Sequence, residues 1–454
     1  MNNIEASFRD PSGYVYCEND NIYRTVEFSY KEQYDYLMTC GLYKKLIDKE
    51  YLIQHEEVAE NVPSDVYKVL RPVKVPFISY PYEWSFSQLK DAALLTLKIQ
   101  FIALKYGMIL KDASAYNVQF LNGKPVFIDT LSFEIYKEGQ IWDGYRQFCQ
   151  HFLAPLLLMA YKDLRFNQLL KTNIDGIPLD LANIILPLSA KLNPEIFFNI
   201  SMQAGLQKRC ESENINYKKK PHISKKQLLF INKKLQDLII SLKFPLKDSE
   251  WGEYYTFTNY DEDAFECKKS IINSYFDKIS PKSLWDLGAN NGLFTRLASS
   301  RGIYSVAFDI DPIACEKNYN MIKKNKEKDI LPLLFDLTNP SPSIGWANKE
   351  RPAISGRQTP DMIMALALIH HIAISNNVPL VKIAEYFSSM SKYLIIEFVP
   401  KEDSQVQKLL STREDIFTNY TVEGFEESFS KYYTMLEKQN VVNSERILYL
   451  FRVN

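Results

Sequence analysis

The sequence has 454 residues, 54 basic and 55 acidic side chains, and a formal net charge of −1. This length suggests two or three domains, and 46% hydrophobic with 24% charged residues is typical of globular proteins, which excludes a mainly disordered or fibrous chain. No apolar run approaches the roughly 18 residues needed to cross a bilayer. Residues 1–10 are polar and lack the apolar core of a secretory signal. We therefore expect a cytoplasmic protein without membrane insertion, whose oligomeric state the sequence leaves open.

The six cysteines are scattered and form no CxxC pair. This pattern predicts free thiols, rather than a disulfide framework or a structural zinc site. Only five histidines occur, so we expect no multi-histidine metal centre.

The charge is uneven along the chain. Residues 208–245 carry ten basic and three acidic side chains, whereas the segments on either side are mildly acidic. We therefore predict three parts, namely a domain over 1–207, a basic helical linker over 208–245 and a domain over 246–454. A basic amphipathic helix over 224–243 should bridge the two domains. A solvated interdomain helix is the preferred interpretation, and contact with nucleic acid or an anionic membrane is the alternative.

The N-terminal part has a mixed pattern. It predicts a hairpin over 13–26, a helix over 30–52, short strands over 66–70 and 77–80, a helix over 88–106, and mostly helical structure over 145–207.

The C-terminal part alternates helical segments with short apolar runs. It predicts an amphipathic helix over 263–279 and a helix starting at Asp311 and Pro312, which are a capping residue and a first helical residue. The apolar runs predict strands over 283–287, 303–308, 331–335, 362–368 and 393–399, followed by an antiparallel hairpin of 432–436 with 447–451. Because the strands are continuously apolar and separated by helices, we predict an α/β fold with a parallel sheet covered on both faces.

A glycine-rich turn lies between the first predicted strand and a helix. Its residues are Asp286-Leu-Gly288-Ala-Asn290-Asn-Gly292. The turn lacks two of the glycines of a dinucleotide fingerprint, because Asn290 and Leu293 occupy their places. Glycine lets the backbone approach a ligand closely, although a purely structural turn is the alternative.

Two further acids follow the next two predicted strands. Asp309 lies 23 residues after Asp286, and Asp336 follows the third strand. A carboxylate at such a position can accept hydrogen bonds from both hydroxyls of a ribose. Ligands of open α/β sheets bind along the carboxyl ends of the strands, so the three acids together predict a ligand site there.

WDLGANNG, VAFDID and LFDLTNP resemble the cofactor motifs of S-adenosylmethionine-dependent methyltransferases with the seven-stranded Rossmann-like fold. The resemblance covers about residues 250–454 and includes the terminal hairpin. It implies S-adenosylmethionine as cofactor, with Asp286, Gly288, Asn290 and Gly292 around its methionine part and Asp309 on its ribose. It also implies that Asp336 lies near the adenine, backed by Leu337.

The methyl-transfer end of the predicted site contains ALALIHH at the end of the fourth strand. It lacks the D/N-P-P-Y/F motif of methyltransferases that act on amide or amino nitrogens, and resembles enzymes acting on small molecules, glycans or some RNAs. His370 or His371 is a candidate general base. If one of them acts in this way, the rate of methyl transfer should rise with pH through the histidine pKa of about 6.5, unless burial shifts that pKa. A pair that only orders the loop is the alternative. Glu397 is a candidate for orienting substrate, or a buried hydrogen-bonded acid.

A second constellation lies in the N-terminal part. Asp112, Asn117 and Asp129 resemble the catalytic and metal-binding residues of protein-kinase-like phosphotransferases, which implies Mg-ATP as a ligand. No G-x-G-x-x-G occurs in the first 80 residues, and only Gly13 lies near the predicted hairpin. Arg24 and Lys68 are candidates for the nucleotide-binding cation. We therefore predict a degenerate α+β kinase-like domain. An accessory lobe whose polar loop satisfies its own hydrogen bonds is the alternative.

The whole chain resembles bacterial two-part proteins related to nodulation-type and ribosomal-protein-type methyltransferases, through YPYEWSFSQLKDAALLTL and FRDPSGYVY. The predicted function is methyl transfer to a hydroxyl or similar group of a small molecule or glycan. The alternatives are an RNA methyltransferase, supported only by the basic linker, and a phosphotransferase or scaffold whose C-terminal domain senses the cofactor.

Overall fold

The computed structural model describes residues 2–4, 7–19, 21–58, 64–205, 222–245 and 262–454. The chain divides into two compact units. The first unit comprises residues 1–246 and 342–353, and the second comprises 247–341 and 354–454. Residues 208–221 of the predicted linker lie outside the described residues. Within the described part of the chain, no helix is long and apolar enough to cross a membrane.

The first unit begins with a five-stranded antiparallel sheet of order β1-β2-β3-β5-β4. Its strands are β1 (Asn2–Asn3), β2 (Val15–Glu18), β3 (Asn21–Glu27), β4 (His55–Val58) and β5 (Val66–Pro72). The helix predicted over 30–52 is two helices, α1 (Lys31–Thr39) and α2 (Leu42–Ile47). They separate at Gly41, whose φ of 88° lies in the left-handed region and ends the helical path.

The rest of the first unit is built around α3 (Phe86–Lys105). The helix begins here because Ser85 and Gln88 form a reciprocal capping box. The strand predicted over 77–80 is absent, and this stretch leads instead into a 3₁₀ turn at Pro81–Glu83. Two small antiparallel pairs follow, β6 (Met108–Leu110) with β9 (Phe133–Ile135) and β7 (Val118–Leu121) with β8 (Lys124–Phe127).

Further helices complete the first unit, and the last of them is long. They are α4 (Gly144–Phe148), α5 (Ala154–Tyr161), α6 (Leu169–Thr172), α7 (Leu179–Ile185), α8 (Leu188–Lys191), α9 (Pro194–Ile196) and α10 (Lys225–Ser241). Helix α10 corresponds to the basic helix predicted over 224–243. It packs on α3, where Asn232 Nδ2 donates to the carbonyl of Leu97 and Lys90 Nζ donates to the carbonyl of Leu242. This helix is therefore a part of the first unit, not a free-standing spacer.

The second unit contains a seven-stranded sheet of order β12-β11-β10-β13-β14-β16-β15. Its strands are β10 (Ser283–Leu287), β11 (Tyr304–Asp309), β12 (Ile330–Leu334), β13 (Met362–Ala365), β14 (Tyr393–Phe398), β15 (Tyr433–Asn440) and β16 (Ile447–Val453). The first five strands are parallel, and β16 lies antiparallel to both β14 and β15. The predicted parallel strands and terminal hairpin are therefore present. One bound was wrong, because the strand predicted over 362–368 ends at Ala365.

Helices accompany this sheet. They are α11 (Glu262–Ile279), α12 (Thr295–Ser299), α13 (Pro312–Asn325), α14 (Leu380–Ser388), α15 (Ser404–Leu410) and α16 (Val422–Ser430). Helix α13 begins as predicted, since Asp311 Oδ1 accepts from the amide of Ile313 at 2.9 Å and Pro312 is the first helical residue. Helix α11 packs its buried face, including Ile272 and Phe276, against the strand residues Leu284 and Met364. This core fixes the carboxyl ends of β10, β11 and β13 beside one another.

Candidate functional site

The glycine-rich turn follows β10 at the carboxyl edge of the parallel strands. Gly288, Asn290 and Gly292 have φ values of 77°, 50° and 79°, so the chain takes the left-handed region three times in five residues. Glycine and asparagine adopt this region at the lowest cost. A side chain at position 292 would clash with Asn318 Nδ2 at 2.5 Å, whereas one at 288 would meet Leu368 of the loop after β13 at 3.2 Å. Gly288 therefore leaves room between two loops, and Gly292 lets the turn pack on α13.

Asp309 is the last residue of β11, and its carboxylate organises the turn. Oδ2 accepts from the amide of Asn290 at 2.7 Å, and Oδ1 accepts from the amide of Asp311 at 2.8 Å. Burial raises the pKa of Asp309 to about 6, although these amide hydrogen bonds oppose the shift. Each carboxylate oxygen retains a lone pair, so Asp309 can accept further hydrogen bonds from a ligand.

Asp286, at position four of β10, is almost fully buried and accepts a 2.6 Å hydrogen bond from the hydroxyl of Thr295. Burial raises its pKa to about 7, and the charge of Asp309 adds to the shift. The folded chain therefore holds protons at both carboxyls in a pH range where the unfolded chain has released them. As pH rises from about 4 to about 7, these groups lower the free energy of unfolding.

Asp336 and Leu337 follow β12, the edge strand beside β11. The carboxylate of Asp336 accepts from the amide and hydroxyl of Thr338 at 2.9 and 2.7 Å, and from the amide of Asn339 at 3.2 Å. The structure brings Asp286, the glycine turn and Asp309 together, whereas the hydrogen bonds of Asp336 are confined to its own loop.

The loop after β13 carries the two histidines. Ala367 adopts a φ of 48°, a conformation that costs an alanine about 1 kcal/mol. His370 is 1% exposed, and neither ring nitrogen has a hydrogen-bond partner among the described residues. Burial lowers the pKa of His370 well below 6.5, and the charges of His371 and Arg446 add to this effect. The imidazole is therefore neutral at physiological pH. His371 packs against it at 4.2 Å between ring centroids.

Beneath this loop lies a buried ionic network that sequence reasoning missed. Lys268 Nζ of α11 donates to Glu397 Oε2 at 2.7 Å, and both side chains are at most 2% exposed. Arg446 lies 3.8 Å from Glu397 Oε1 and donates from Nε to Asp403 at 2.7 Å. Glu397, predicted to orient substrate or to be a buried hydrogen-bonded acid, is thus held in an ion pair. The sequence did contain a signal for a buried lysine. Lys268 lies four residues from Ala264 and from Ile272, which places it on the apolar face of α11.

The second predicted constellation lies in the first unit, in the loops after β6 and β8. Asp112 Oδ1 accepts from the amide of Ser114 at 2.9 Å, and burial raises its pKa. Asp129 accepts from the hydroxyl of Ser132 at 2.5 Å and lies 3.3 Å from Arg24 Nη2. Asn117 Nδ2 donates to the same Ser132 hydroxyl at 3.3 Å. Asn117 and Asp129 therefore meet at one serine, and both act on Asp112. The charge of Asp129 raises the pKa of Asp112 further, whereas a hydrogen bond with Asn117 opposes the shift.

These contacts fit Mg-ATP poorly. Arg24 is shared between Asp129 and Asp10, so the carboxylate expected to hold magnesium is already neutralised by a cation. A Cβ at Gly13 would lie 2.0 Å from the carbonyl oxygen of Thr25, so this glycine serves the close approach of two strands. Lys68, the other predicted nucleotide cation, pairs with Glu57 at 2.6 Å. No group of three or more His, Cys, Asp or Glu side chains suited to a metal ion occurs within the described ranges.

We expect the full chain to show no magnesium-dependent ATP turnover above background. The physical reason is that the positive charge of Arg24, 3.3 Å from Asp129 Oδ1, competes with a magnesium ion for this carboxylate. The measurement compares phosphate release by the wild type and by Asp129→Ala, with Asp163→Ala as a control in an exposed ion pair of the same unit. Robust turnover that is lost only in Asp129→Ala would show that the site is active.

The seven-stranded sheet defines the class of the second unit, an open α/β fold, and its candidate site lies at the carboxyl edge of the parallel strands, where such folds bind ligands. No protein-family profile matches the chain. The chain is 34% identical to the nodulation protein NoeA of Rhizobium meliloti (strain 1021) over 459 residues, which is 99% of this chain and 95% of the relative. The chain therefore belongs to the NoeA family.

Several solved structures resemble parts of the chain. The N-methyltransferase NodS from Bradyrhizobium japonicum WM9 shares 11% identity over 42% of this chain and 98% of its own, with a TM-score of 0.32. The magnesium protoporphyrin IX methyltransferase ChlM from Synechocystis PCC 6803 shares 11% sequence identity over 45% of this chain and 93% of its own, with a TM-score of 0.33. The bifunctional kinase-methyltransferase WbdD shares 17% sequence identity over 41% of this chain and 39% of its own, with a TM-score of 0.29. The match spans about two fifths of WbdD, and TM-scores of this size do not establish a shared fold.

Proposed function

We propose that this protein is an S-adenosylmethionine-dependent methyltransferase whose cofactor lies along the turn from Asp286 to Gly292. The seven-stranded sheet, with five parallel strands and a terminal antiparallel hairpin, has the arrangement expected from the motif resemblance. The proposal assigns the ribose hydroxyls to Asp309 and the adenine to the neighbourhood of Asp336 and Leu337.

One observation carries this proposal. A half-buried carboxylate at the end of the second parallel strand, Asp309, is bonded to the amide of Asn290 in the glycine turn of the first strand. The two motifs that a cofactor would have to contact at once are thus coupled in the free protein. Gly288 keeps the gap to the next loop open on the same turn, because a Cβ at this position would already lie 3.2 Å from the side chain of Leu368.

The bound cofactor supplies an electrophilic methyl group on a sulfonium. The protein's contribution is alignment, which can supply up to about 7–11 kcal/mol of a reaction barrier. The neutral imidazole of His370 can accept a proton from an acceptor hydroxyl without first losing one of its own. Lys268 and Glu397 hold the end of β14 beside this loop through their buried ion pair.

The acceptor under this proposal is a hydroxyl or similar group of a small molecule or glycan. It is supported by a neutral buried histidine after β13, where enzymes acting on amide or amino nitrogens carry the D/N-P-P-Y/F motif. The name of the R. meliloti relative refers to nodulation and specifies no acceptor.

Replacing Asp309 with Asn should weaken binding of S-adenosylmethionine about 10- to 100-fold, because charge-assisted hydrogen bonds to the ribose become neutral ones. Isothermal titration of the full chain measures this change. Asp311→Asn is the matched control, since it removes a negative charge two residues away and Asn is an equally good helix cap. Unchanged affinity in Asp309→Asn would remove the ribose assignment.

Binding in the wild type should also depend on pH. Ribose hydroxyls favour the ionised carboxylate, whereas burial raises the pKa of free Asp309 to about 6. Affinity should therefore fall as pH decreases through 6, because a proton must be released on binding. Asp309→Asn should lose this part of the pH dependence.

A further inference from the structure

Among the polar atoms of the first unit that are buried without a hydrogen-bond partner in the described part of the chain, three belong to neighbouring side chains. They are Tyr116 Oη, His151 Nδ1 and Arg351 Nε. The three side chains are neighbours, since the ring of Tyr116 lies edge-on to His151 at 5.9 Å and Arg351 Cζ lies 4.4 Å from the centre of the Tyr116 ring. Unsatisfied buried polar atoms are rare in folded proteins, and three side by side indicate a site for a polar ligand.

Arg351 reaches this position on a strap formed by residues 342–353, which belong to the first unit although they lie between β12 and β13 in the sequence. Arg9 anchors the strap, because its Nε and Nη2 donate to both carboxylate oxygens of Glu350 at 2.9 and 2.6 Å. Ile344 and Arg351 exchange backbone hydrogen bonds across the strap at 3.0 and 3.1 Å. The guanidinium of Arg351 is therefore carried on a fixed backbone.

The charges select the chemistry of the ligand. The side chain of Arg351 makes one hydrogen bond, from Nη1 to the carbonyl of Glu350 at 3.0 Å, and no ion pair within the described part of the chain. The nearest carboxylate along the strap, Glu350, is already taken by Arg9. Burial lowers the pKa of His151 to about 3, and Arg351 adds to this effect, so the imidazole is neutral. The charge of Glu350 acts on Arg351 but is shared with Arg9, so an anion at the three donors would give Arg351 a counter-charge of its own, which a water molecule would not.

We propose that Arg351, Tyr116 and His151 bind an oxyanion, the phosphate or carboxylate group of a small molecule. Arg351 Nε–H, the hydroxyl of Tyr116 and, in its Nδ1–H tautomer, the ring of His151 offer three donors to separate oxygens. Tyr116 precedes Asn117 in the chain, so the oxyanion lies next to the polar loop that carries Asp112. The first unit then serves to bind an anionic molecule, independently of cofactor binding in the second unit.

The test titrates inorganic phosphate and, separately, acetate into the full chain, at constant ionic strength maintained with chloride. Saturable binding by calorimetry, and a rise in the midpoint of thermal unfolding with anion concentration, are the expected results. Preference for phosphate or for acetate identifies the group. Absence of saturable binding by both anions would overturn the proposal and leave a buried water as the occupant.

Two variants locate the binding. Arg351→Met and Tyr116→Phe should each weaken binding of the preferred anion at least about tenfold. Arg71→Met is the control, because Arg71 forms an exposed ion pair with Glu56 in the same unit and should leave binding unchanged. Tyr116→Phe removes only a hydroxyl that has no hydrogen-bond partner in the described ranges, so this variant should fold normally in the absence of anion. Equal anion binding by the wild type and both variants would place the anion elsewhere and also overturn the proposal.

Discussion

Replacing Lys268 with Met should lower the free energy of unfolding of the second unit by about 3–5 kcal/mol. The ammonium and the carboxylate of Glu397 are 2% and 0% exposed, and they are joined at 2.7 Å. Removing the cation leaves the carboxylate of Glu397 buried without its 2.7 Å partner, and Arg446 Nη1 lies farther away, at 3.8 Å. Removing one partner of a buried pair is far more costly than removing the pair, because the remaining charge is not rehydrated.

Lys269→Met provides the matched control one residue along α11. Lys269 pairs with Glu266 at 2.7 Å on the solvent side, and such exposed pairs contribute about 0–1 kcal/mol. Hydrogen exchange of peptides covering β10 and β14 during urea unfolding reports the second unit separately from the first. Equal stability of the two variants would contradict a buried ion pair at Lys268.

Replacing His370 with Phe should lower the single-turnover rate of methyl transfer by about 10²–10⁴ while leaving cofactor affinity nearly unchanged. Phe retains a planar ring of similar size, and neither nitrogen of His370 has a hydrogen-bond partner among the described residues to lose. A loss of rate without a loss of thermal stability would therefore report on chemistry rather than folding. The assay requires a glycan or small-molecule acceptor that the wild type methylates.

The pH profile adds an independent criterion. The sequence alone predicts a rate that rises through about pH 6.5, unless burial moves the histidine pKa. Burial lowers the pKa of His370 well below 6.5, so deprotonation of this residue should produce no rise in rate centred near pH 6.5. His371→Phe is the companion variant, and the rank of the two rates identifies the residue that acts. Wild-type turnover in both variants would eliminate a catalytic role for the pair.

The arrangement of the second unit was largely predictable because its signals are local. Continuous apolar runs separated by helical segments specify buried parallel strands, and a glycine turn after the first strand needs particular backbone angles. The predicted meeting of Asp309 with the turn follows from strand order, since parallel neighbours end at the same edge of a sheet. The Asp311 cap of α13 was predictable from two adjacent residues.

What escaped prediction depends on contacts between distant residues. The partner of Lys268 lies 129 residues away in the sequence. The amphipathic pattern could therefore indicate a lysine on the apolar face of the helix, but it could not predict that Glu397 is its partner. The predicted strand over 362–368 ran too long because Leu366 is buried in the loop after β13, and hydrophobicity alone does not separate loop from strand. The strap 342–353 has no periodic signal, and only the fold shows that it belongs to the first unit.

The polar loops of the first unit, which carry Asp112, Asn117 and Asp129, also depend on a contact with a residue that is distant in the sequence. The spacing of Asp112, Asn117 and Asp129 was sufficient to predict that they act near one another, and Ser132 does join the last two. The sequence could not show that Arg24, on a strand more than 100 residues earlier, neutralises Asp129. That contact, rather than the motif, determines our expectation for ATP.

Calorimetric titration of the full chain with S-adenosylmethionine, and separately with Mg-ATP, tests the proposed function most directly. The proposed function predicts saturable binding of one S-adenosylmethionine per chain at pH 7.5, and no binding of Mg-ATP. Saturable binding of Mg-ATP with no heat from S-adenosylmethionine would contradict it, and would identify the Asp112 and Asp129 loops as the working site of this protein.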